Sequence, residues 1–290
     1  MTSHRYSDKP VVVAGATGSQ GGAVVRRLLE RGHTVRALTR NRTQPAAIEL
    51  ASAGAEVIEA DLMRPDTLIP ALEGAGGVFS VQDFLEAGVD AEVEMGLNFT
   101  AAIGRSGIDH VVYSGASTMD RNTGVPHLDS KWRVEQAVRQ LGLPFTILRP
   151  AAFMDNWGWE HEQIVNEGVV SMPLRPDTPY RQVAVCDIAA MAVIALEHPE
   201  TWASRIVPLA GEISTPIEIT ATFSRVLGKP VRYEQMSWED CITAQGEELT
   251  EMYRSFDVFG MDGDPIYLRR WHPGALTLEA FLLNNGWGQG

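Results

Sequence analysis

Residues Pro10 to Gly32 read PVVVAGATGSQGGAVVRRLLERG, a sequence that predicts a strand, a glycine-rich turn and a helix in direct succession. The β-branched run 11–13 is typical of a strand buried on both faces of a parallel sheet. Gly15, Gly18 and Gly21 follow at a spacing of three, where side chains would block a phosphate. The free N–H groups at the start of the next helix would attract an anion. An ordinary tight turn is the alternative, but the strand and helix around it favour a dinucleotide pyrophosphate site.

The second strand indicates which dinucleotide the site prefers. A site for NAD usually has an acidic residue about 20 residues beyond the glycines, where it accepts hydrogen bonds from the ribose 2′-hydroxyl. This strand reads HTVRALTRNR and ends without a carboxylate. Arg40 stands there instead, and a guanidinium can bind a 2′-phosphate through two parallel hydrogen bonds. The prediction is NADP(H), and the alternative is that Arg40 and Arg42 are solvated loop charges.

The charge distribution agrees with a phosphate site near the start of the chain. The formal net charge is −13, yet residues 1–50 hold eight Lys and Arg against three acids, a local net of +5, so the other 240 residues carry −18. A chain this acidic lacks the electrostatic footprint of a nucleic-acid-binding protein. We therefore expect no nucleic-acid partner.

Length and composition exclude several other classes of protein. The 290 residues with 44% hydrophobic content suffice for one large α/β domain, or for a main domain with a smaller lobe. No run approaches the 18 or so apolar residues of a membrane span, and the start MTSHRYSDKP lacks a signal peptide's apolar segment. Cys186 and Cys241 stand in no metal-like spacing, so two reduced thiols and no metal are expected. The expected location is cytoplasmic.

Alternating strand and helix patterns continue along the first half of the chain. Further strands are predicted at 55–62, 76–82, 108–117 and 143–150, with helical patterns around Ile48 and at 68–72, 92–103 and 132–141. Repeated βα units of this kind predict a doubly wound parallel sheet. Because ligands bind at the carboxyl ends of such strands, Asp61, Ser80 to Gln82, Ser114 to Ser117 and the stretch after Pro150 are expected to line one crevice. The alternative for each residue is loop capping or solvent exposure.

After Pro150 the periodicity loosens, which predicts a smaller lobe. We place a dinucleotide-binding domain at 1–152 and mainly a substrate or partner lobe at 153–290, with some segments returning to the main sheet. Phe153, Trp157 and Trp159 lie close in sequence and are candidates for a substrate pocket, with core packing as the alternative. N-caps of later helices are predicted at Asp187, Thr215 and Thr277.

Six motifs in a fixed order resemble the NmrA-like family of atypical short-chain dehydrogenases. They are GATGSQGG at 15–22, LTRN at 38–41, VVYSGAS at 111–117, RPAAFMDN at 149–156, VAVCDIA at 183–189 and ALTLEAFL at 275–282. The resemblance spans nearly the whole chain. It implies a Rossmann-type NADP(H)-binding domain with a small α/β lobe, in a family that includes NADPH-dependent reductases and cofactor-sensing regulators.

The resemblance also implies a set of cofactor-binding residues. These are Gly15, Thr17, Gly18, Ser19, Gln20 and Gly21 at the pyrophosphate, Arg40 at the 2′-phosphate, Asp61 and Leu62 near the adenine, Ser80 and Val81 near a ribose, Lys131, and Phe153, Met154, Asp155 and Asn156 near the nicotinamide. Of these, the glycine turn and Arg40 follow from the residues alone.

The segment HLDSK, 127–131, bears on catalysis. Short-chain dehydrogenases usually place Tyr four residues before Lys on one helix, so that the ammonium lowers the pKa of the phenol. Here His127 stands in the place of Tyr. Lys131 could still hold the nicotinamide ribose, and His127 could donate a proton near neutral pH, although a neighbouring ammonium disfavours the protonated imidazole.

Three functions fit these residues. The first is an NADPH-dependent reductase of a small carbonyl, enone or quinone, with His127 or water as the proton source. The second is a non-catalytic NADP(H) sensor that regulates a protein partner. The third, a sugar-nucleotide-modifying enzyme, is disfavoured by the missing Tyr. Partners are thus a small molecule or a regulatory protein, and the chain is expected to be a monomer or homodimer.

Overall fold

The computed structural model describes residues 9–288 of the chain. The expectation that the chain starts without a signal peptide lies largely outside them. The strands are β1 Val11–Val13, β2 Val35–Thr39, β3 Glu56–Glu59, β4 Gly77–Ser80, β5 His110–Ser114, β6 Phe145–Pro150, β7 Ala152–Phe153, β8 Val169–Met172, β9 Tyr180–Val183, β10 Arg205–Leu209, β11 Glu212–Ser214 and β12 Arg232–Gln235. The helices are α1 Ser19–Glu30, α2 Pro45–Ser52, α3 Leu68–Leu72, α4 Phe84–Ala87, α5 Val89–Ile103, α6 Pro126–Gln140, α7 Val185–Glu197, α8 Pro199–Trp202, α9 Pro216–Leu227, α10 Trp238–Gln245, α11 Glu247–Phe259, α12 Pro265–Trp271 and α13 Leu278–Asn284.

The described chain divides into two compact units, each made of three segments. The first unit comprises 9–116, 127–149 and 188–207, and the second comprises 117–126, 150–187 and 208–288. The ten residues 117–126, which join β5 to α6, thus belong to the second unit although both of these elements lie mostly in the first.

The first unit contains a seven-stranded sheet in the order β10-β6-β5-β4-β1-β2-β3. All pairs among β1 to β6 are parallel. Residues 11–13 are fully buried, as the β-branched run predicts for a central strand. The chain builds β2 and β3 on one side of β1 and β4 to β6 on the other, so the order reverses between β1 and β4. The doubly wound sheet is confirmed, and its ligand crevice is expected beyond the carboxyl ends of these two strands.

The predicted strands are present, but the third is shorter than the predicted 55–62. It ends at Glu59, because the backbone N–H of Asp61 donates to Thr67 Oγ1 (3.0 Å) and the Asp61 carbonyl accepts from Arg64 N (2.8 Å). These bonds form a tight turn that withdraws Asp61 from the ladder. A local hydrogen-bonding alternative of this kind is hidden from an apolar pattern.

The second unit has two small sheets, β11-β9-β7 and β12-β8, around one apolar core. The Trp157 ring meets Phe223 edge-on with centroids 5.3 Å apart, and Phe223 meets Trp287 at 5.2 Å. These three rings are at most 8% exposed. They contribute large apolar surfaces to the core of this unit.

Two of the three predicted N-caps are confirmed. Thr215 and Thr277 accept from the N–H groups of Glu218 and Ala280, and Thr215 with Glu218 completes a capping box. The N-cap predicted at Asp187 is wrong, because α7 begins at Val185 and Asp187 lies in its first turn.

The carboxylate of Asp187 serves a tertiary contact instead of a cap. It accepts from the backbone N–H of Leu276 (2.9 Å) and lies 3.0 Å from His272 Nε2. The first amide of α7, that of Val185, donates to Asp155 Oδ2 at 2.9 Å. The carboxylate that accepts from this amide therefore lies 30 residues earlier in the chain, so the sequence around α7 does not reveal it.

Two further features concern residues 9–288. None of the helices in this part of the chain has the length and apolar character that crossing a membrane requires. No group of three His, Cys, Asp or Glu side chains in the same part is placed to hold a metal ion.

Glu160 is an ionisable group in an unfavourable place within the second unit. Its Oε2 is buried and has no hydrogen-bond partner, and the phenols of Tyr180 and Tyr253 lie near enough to interact electrostatically with it. Burial raises the pKa of Glu160 from 4.5 to about 7. Because the folded state holds this proton more tightly than the unfolded state, Glu160 favours folding below pH 4.5 and this contribution is lost as the pH rises towards 7.

We expect Glu160→Gln to remove this loss, since an amide stays neutral at every pH. The variant should gain about 2–3 kcal/mol of unfolding free energy relative to the parent protein between pH 5 and pH 8. Urea unfolding at both pH values measures it, with Glu162→Gln as the matched control because Glu162 is exposed. Parallel stability curves for Glu160→Gln and the parent protein would contradict the assignment.

Candidate functional site

The glycine turn after β1 is held by close backbone contacts. Gly15 has φ +62°, and a Cβ there would lie 2.8 Å from Val81 Cγ1. A Cβ at Gly21 would lie only 2.2 Å from the carbonyl oxygen of Gly15, so α1 starts directly against the turn. A Cβ at Gly18 meets nothing nearer than 3.4 Å. Gly15 and Gly21 are therefore required by the fold, whereas Gly18 leaves a surface free for a ligand.

The start of α1 presents backbone donors to this free surface. Gly18 is its N-cap with φ −88° and ψ 176°, and it has no side chain to accept from the first-turn amides. Ser19 is exposed, Thr17 is half-buried, and no acidic residue lies in the first turn. An uncapped helix N-terminus of this kind attracts an anion through its N–H groups and its dipole. The turn therefore has the chemistry of a pyrophosphate cradle.

Ser80 ends β4, and Val81 and Gln82 follow it at the same edge of the sheet, because Val13 of β1 is in register with Phe79. Ser80 is buried and accepts from Gln82 Nε2 at 3.0 Å. Gln82 Oε1 is buried without a hydrogen-bond partner. A buried acceptor beside the glycine turn is the group that a ribose hydroxyl would satisfy.

Arg40 directly follows β2 and lies near the same edge, two strands from β4. Its Nη2 donates to both carboxylate oxygens of Glu86, at 2.7 and 2.8 Å. The hydrogen bond with Glu86 raises the pKa of Arg40, and the nearby Asp61 adds to this effect. Both members of the pair are more than half exposed. The guanidinium is thus charged, accessible and already in contact with an oxyanion.

Asp61 and Leu62, which the family resemblance places near the adenine, lie in the turn after β3. One oxygen of Asp61 accepts from the N–H of Met63 at 2.9 Å, and the carbonyl of Leu62 accepts from Asn98 Nδ2 at 3.0 Å. Both residues are half-buried, and Asp61 is close enough to Arg40 for electrostatic interaction. The structure therefore brings Asp61 and Arg40 together.

Lys131 lies on α6 in a buried charge network that sequence reasoning missed. Its ammonium pairs with one oxygen of Glu92, and Ser130 Oγ donates to the other. The Glu92 side chain is 1% exposed and that of Lys131 14%. Because this carboxylate balances the ammonium locally, Lys131 does not act as an isolated cation on a neighbouring acid.

His127, one turn earlier on α6, lies flat against Phe84. The two ring centroids are 4.5 Å apart with an interplanar angle of 9°, and Lys131 Nζ lies 5.5 Å from the same phenyl ring. His127 is 4% exposed. Phe84 of the short helix α4 thus covers both candidate catalytic groups.

The phenol of Tyr113 does not take the place of the missing Tyr on α6. Tyr113 is close, but its hydroxyl donates to the backbone carbonyl of Lys131 at 3.2 Å. Burial, with added effects from Glu92 and Glu135, raises the pKa of Tyr113 well above 10. This phenol stays protonated and serves the packing of β5 against α6.

Ser114, at the end of β5, and Ser117, just after it, both have hydrogen-bond partners in the fold. Ser114 Oγ donates to Gln20 Oε1 at 2.7 Å, which joins the end of β5 to the start of α1. Ser117 Oγ accepts from the backbone N–H of Asp262 at 2.8 Å, within the second unit. Gln20 is thereby positioned by the end of β5 as well as by the glycine turn.

The predicted nicotinamide and substrate residues lie in the second unit and differ in exposure. Met154 and Trp157 are buried, and Trp157 Nε1 donates to Gln182 Oε1 at 2.6 Å. Phe153 is half-buried, Asp155 and Asn156 are exposed, and Trp159 is 76% exposed. The structure thus does not bring Trp157 and Trp159 to a common surface: Trp157 is a core residue, and a substrate role remains a prediction for Phe153 and Trp159.

The first unit has the doubly wound architecture of Rossmann-type proteins, with a glycine turn at the switch point of the sheet. The sequence model of the NmrA-like family matches residues 7–282. The chain belongs to the NmrA-like family, as the six motifs suggest.

Two relatives are reductases by name. The (4-alkanoyl-5-oxo-2,5-dihydrofuran-3-yl)methyl phosphate reductase of Streptomyces griseus is 32% identical over 235 residues, which covers 81% of this chain and 79% of the relative. The NAD(P)H azoreductase of Xenophilus azovorans is 31% identical over 232 residues, covering 79% and 78%.

One solved structure is that of NmrA, a negative transcriptional regulator, in complex with NADP. It superposes with a TM-score of 0.80 at 22% identity and covers 95% of this chain and 94% of the regulator. At this identity the likeness concerns the fold. The chain thus has sequence relatives named as reductases, and it shares its fold with a protein named as a regulator.

The contacts of the glycine turn predict opposite outcomes for two alanine substitutions. Gly21→Ala forces a methyl group onto the Gly15 carbonyl oxygen, so we expect a loss of about 1–3 kcal/mol of unfolding free energy. Gly18→Ala adds a methyl group at ordinary van der Waals distance, 3.4 Å from the Gly15 carbonyl oxygen, and should change stability by less than about 1 kcal/mol. Urea unfolding of both variants measures the difference, and equal losses would show that the turn is arranged differently.

Proposed function

We propose that this chain is an NADPH-dependent reductase that reduces a small carbonyl, enone or quinone. The observation that carries the proposal is the Arg40 guanidinium after β2, on the same sheet edge as an uncapped helix N-terminus. A pyrophosphate and a 2′-phosphate are the two anionic groups of NADP(H), and these two features match them.

The residues present fit this cofactor in three respects. The surface at Gly18 is open where a side chain would exclude a phosphate. Gln82 Oε1 is a buried acceptor without a partner, which suits a ribose hydroxyl. Arg40 is charged and half exposed, so it can exchange Glu86 for a phosphate.

NADPH, when bound, supplies a hydride, which would add to the electrophilic carbon of the substrate. One proton must then reach the substrate oxygen, or the α-carbon of an enone, to balance the reduction. In our proposal His127 donates it, directly or through water, and is recharged from solvent. Lys131 donates hydrogen bonds to ribose hydroxyls and orients the cofactor.

The reductase names of two relatives above 30% identity support this proposal. The absence of a Tyr four residues before Lys131 argues against sugar-nucleotide chemistry of the extended dehydrogenase type. A small-molecule substrate, a cytoplasmic location and a monomeric or homodimeric state belong to the same proposal.

A second function, the non-catalytic NADP(H) sensor, is favoured by one observation. Lys131 is balanced by Glu92, and His127 is covered by Phe84, so neither group is free for proton transfer in this arrangement. A sensor needs only that the cofactor changes the conformation presented to a partner protein.

Arg40→Ala tests the cofactor assignment. We expect NADPH binding to weaken by about 1.5–3 kcal/mol, the range for a charged hydrogen bond, while NADH binding stays within twofold. Isothermal titration calorimetry measures both affinities. Arg42→Ala is the matched control, because Arg42 is an exposed arginine two residues away. Equal losses for NADPH and NADH would contradict the role of Arg40.

His127→Phe distinguishes the reductase from the sensor. A phenyl ring preserves the stack on Phe84 but carries no proton, so NADPH affinity should hold while turnover of quinones, enones or aldehydes falls about a hundredfold or more. NADPH absorbance reports the rate. Turnover that survives would make water the proton source. For a sensor we expect no turnover by the parent protein, together with different conformations bound to NADP⁺ and NADPH.

A further inference from the structure

The segment 83–92, here called the strap, contacts the side chains of Arg40, His127 and Lys131 in the candidate site. The strap contains α4, begins at Asp83 and ends with Glu92 in the first turn of α5. Asp83 Oδ1 caps α4 by accepting from Leu85 N at 2.8 Å. Between the two helices Gly88 has φ +84°, and a Cβ there would meet nothing within 4 Å. The strap thus contains a short helix, α4, that is joined to α5 through a glycine without close neighbours.

Glu86 of the strap occupies the hydrogen-bonding face of Arg40 that a phosphate would use. One guanidinium nitrogen, Nη2, donates to both oxygens of this carboxylate. A 2′-phosphate would compete for this nitrogen and carries up to two negative charges, whereas a ribose 2′-hydroxyl carries none. A dianion can displace the carboxylate from Arg40, and a neutral hydroxyl cannot.

The other end of α4 contacts the candidate catalytic groups. Phe84, two residues before Glu86, stacks on His127 and lies under the ammonium of Lys131. Glu86 and Phe84 stand two residues apart in the four-residue helix α4, so a shift of this helix that carries Glu86 away from Arg40 would also move Phe84. Such a shift would change the phosphate end and the catalytic end of the site together.

We propose that Glu86 determines cofactor specificity by acting as an internal competitor of the 2′-phosphate. NADP(H) displaces Glu86 from Arg40 and releases α4, and with it Phe84, from His127 and Lys131. NAD(H), which has only a hydroxyl at that position, leaves the strap in place. This inference rests on the proposed function, because it takes Arg40 as the 2′-phosphate ligand.

The affinity test uses Glu86→Gln, which keeps the shape of the side chain and removes its charge. Because the pair is exposed, its removal should tighten NADP⁺ binding by about two- to fivefold and change NAD⁺ binding by less than twofold. Glu94→Gln is the matched control, since Glu94 is an exposed carboxylate on α5. Calorimetry at low salt gives all the affinities.

A double variant separates competition at Arg40 from general charge repulsion. In the Arg40→Ala background, Glu86→Gln should leave NADP⁺ affinity unchanged, because the competitor has lost its target. Tightening of the same size in both backgrounds, or with Glu94→Gln, would overturn the proposal. If Arg40→Ala alone does not weaken NADP⁺ binding, the cofactor assignment itself fails. If it does and Glu86→Gln has no effect, only the competitor role fails.

Hydrogen exchange measures release of the strap directly. The amides of Leu85 and Gly88 are bonded within the strap, the latter to Phe84 O at 2.8 Å, so they report its integrity. We expect saturating NADP⁺ to speed their exchange, saturating NAD⁺ to leave it unchanged, and Glu86→Gln to speed it without nucleotide. Equal exchange with both nucleotides would overturn the release mechanism.

Discussion

The contact between Gly21 and the Gly15 carbonyl is the constraint on which the site depends. With no side chain at Gly21, the first turn of α1 approaches the end of β1 more closely than any other residue would allow. That approach directs the uncapped amides of α1 over the switch point of the sheet. It also brings Gln20 within reach of Ser114 at the end of β5. One missing methyl group thus fixes the position of the anion cradle relative to two strand ends.

Ion pairs within the chain oppose the attraction of the site for an anion. Each of its two cations is held by a carboxylate: Arg40 by Glu86 on the surface, and Lys131 by Glu92 in the interior. The first pair is solvated and costs little to exchange, whereas the second is desolvated and costs far more to break. A phosphate can therefore compete at Arg40, whereas at Lys131 a ribose hydroxyl would use another N–H of the ammonium and leave Glu92 in place. The Arg40 end of the site is therefore the end at which a bound phosphate can replace a carboxylate of the chain.

The sequence suffices for the parts of this protein that depend on local patterns. The buried run 11–13, the glycine spacing, Arg40 and the caps at Thr215 and Thr277 each have a signal within a few residues. The groups that the sequence does not reveal are paired over long separations. Glu92 lies 39 residues before Lys131, Asp155 lies 30 residues before the helix start that it satisfies, and Glu86 lies 46 residues after Arg40. Trp157 and Trp159 show the converse. They are close in sequence, yet Trp157 lies in a core and Trp159 lies on the surface.

The ten residues 117–126 add a consequence for how such a protein can change over evolutionary time. The chain passes between the two units at five points, two of which are the ends of these ten residues, so neither unit is encoded by one continuous stretch. A gene segment for one unit cannot be exchanged for a foreign one in a single recombination event without also cutting the other. Changes in either unit must then arise within segments that stay in place. An interleaved chain of this kind inherits its two units together.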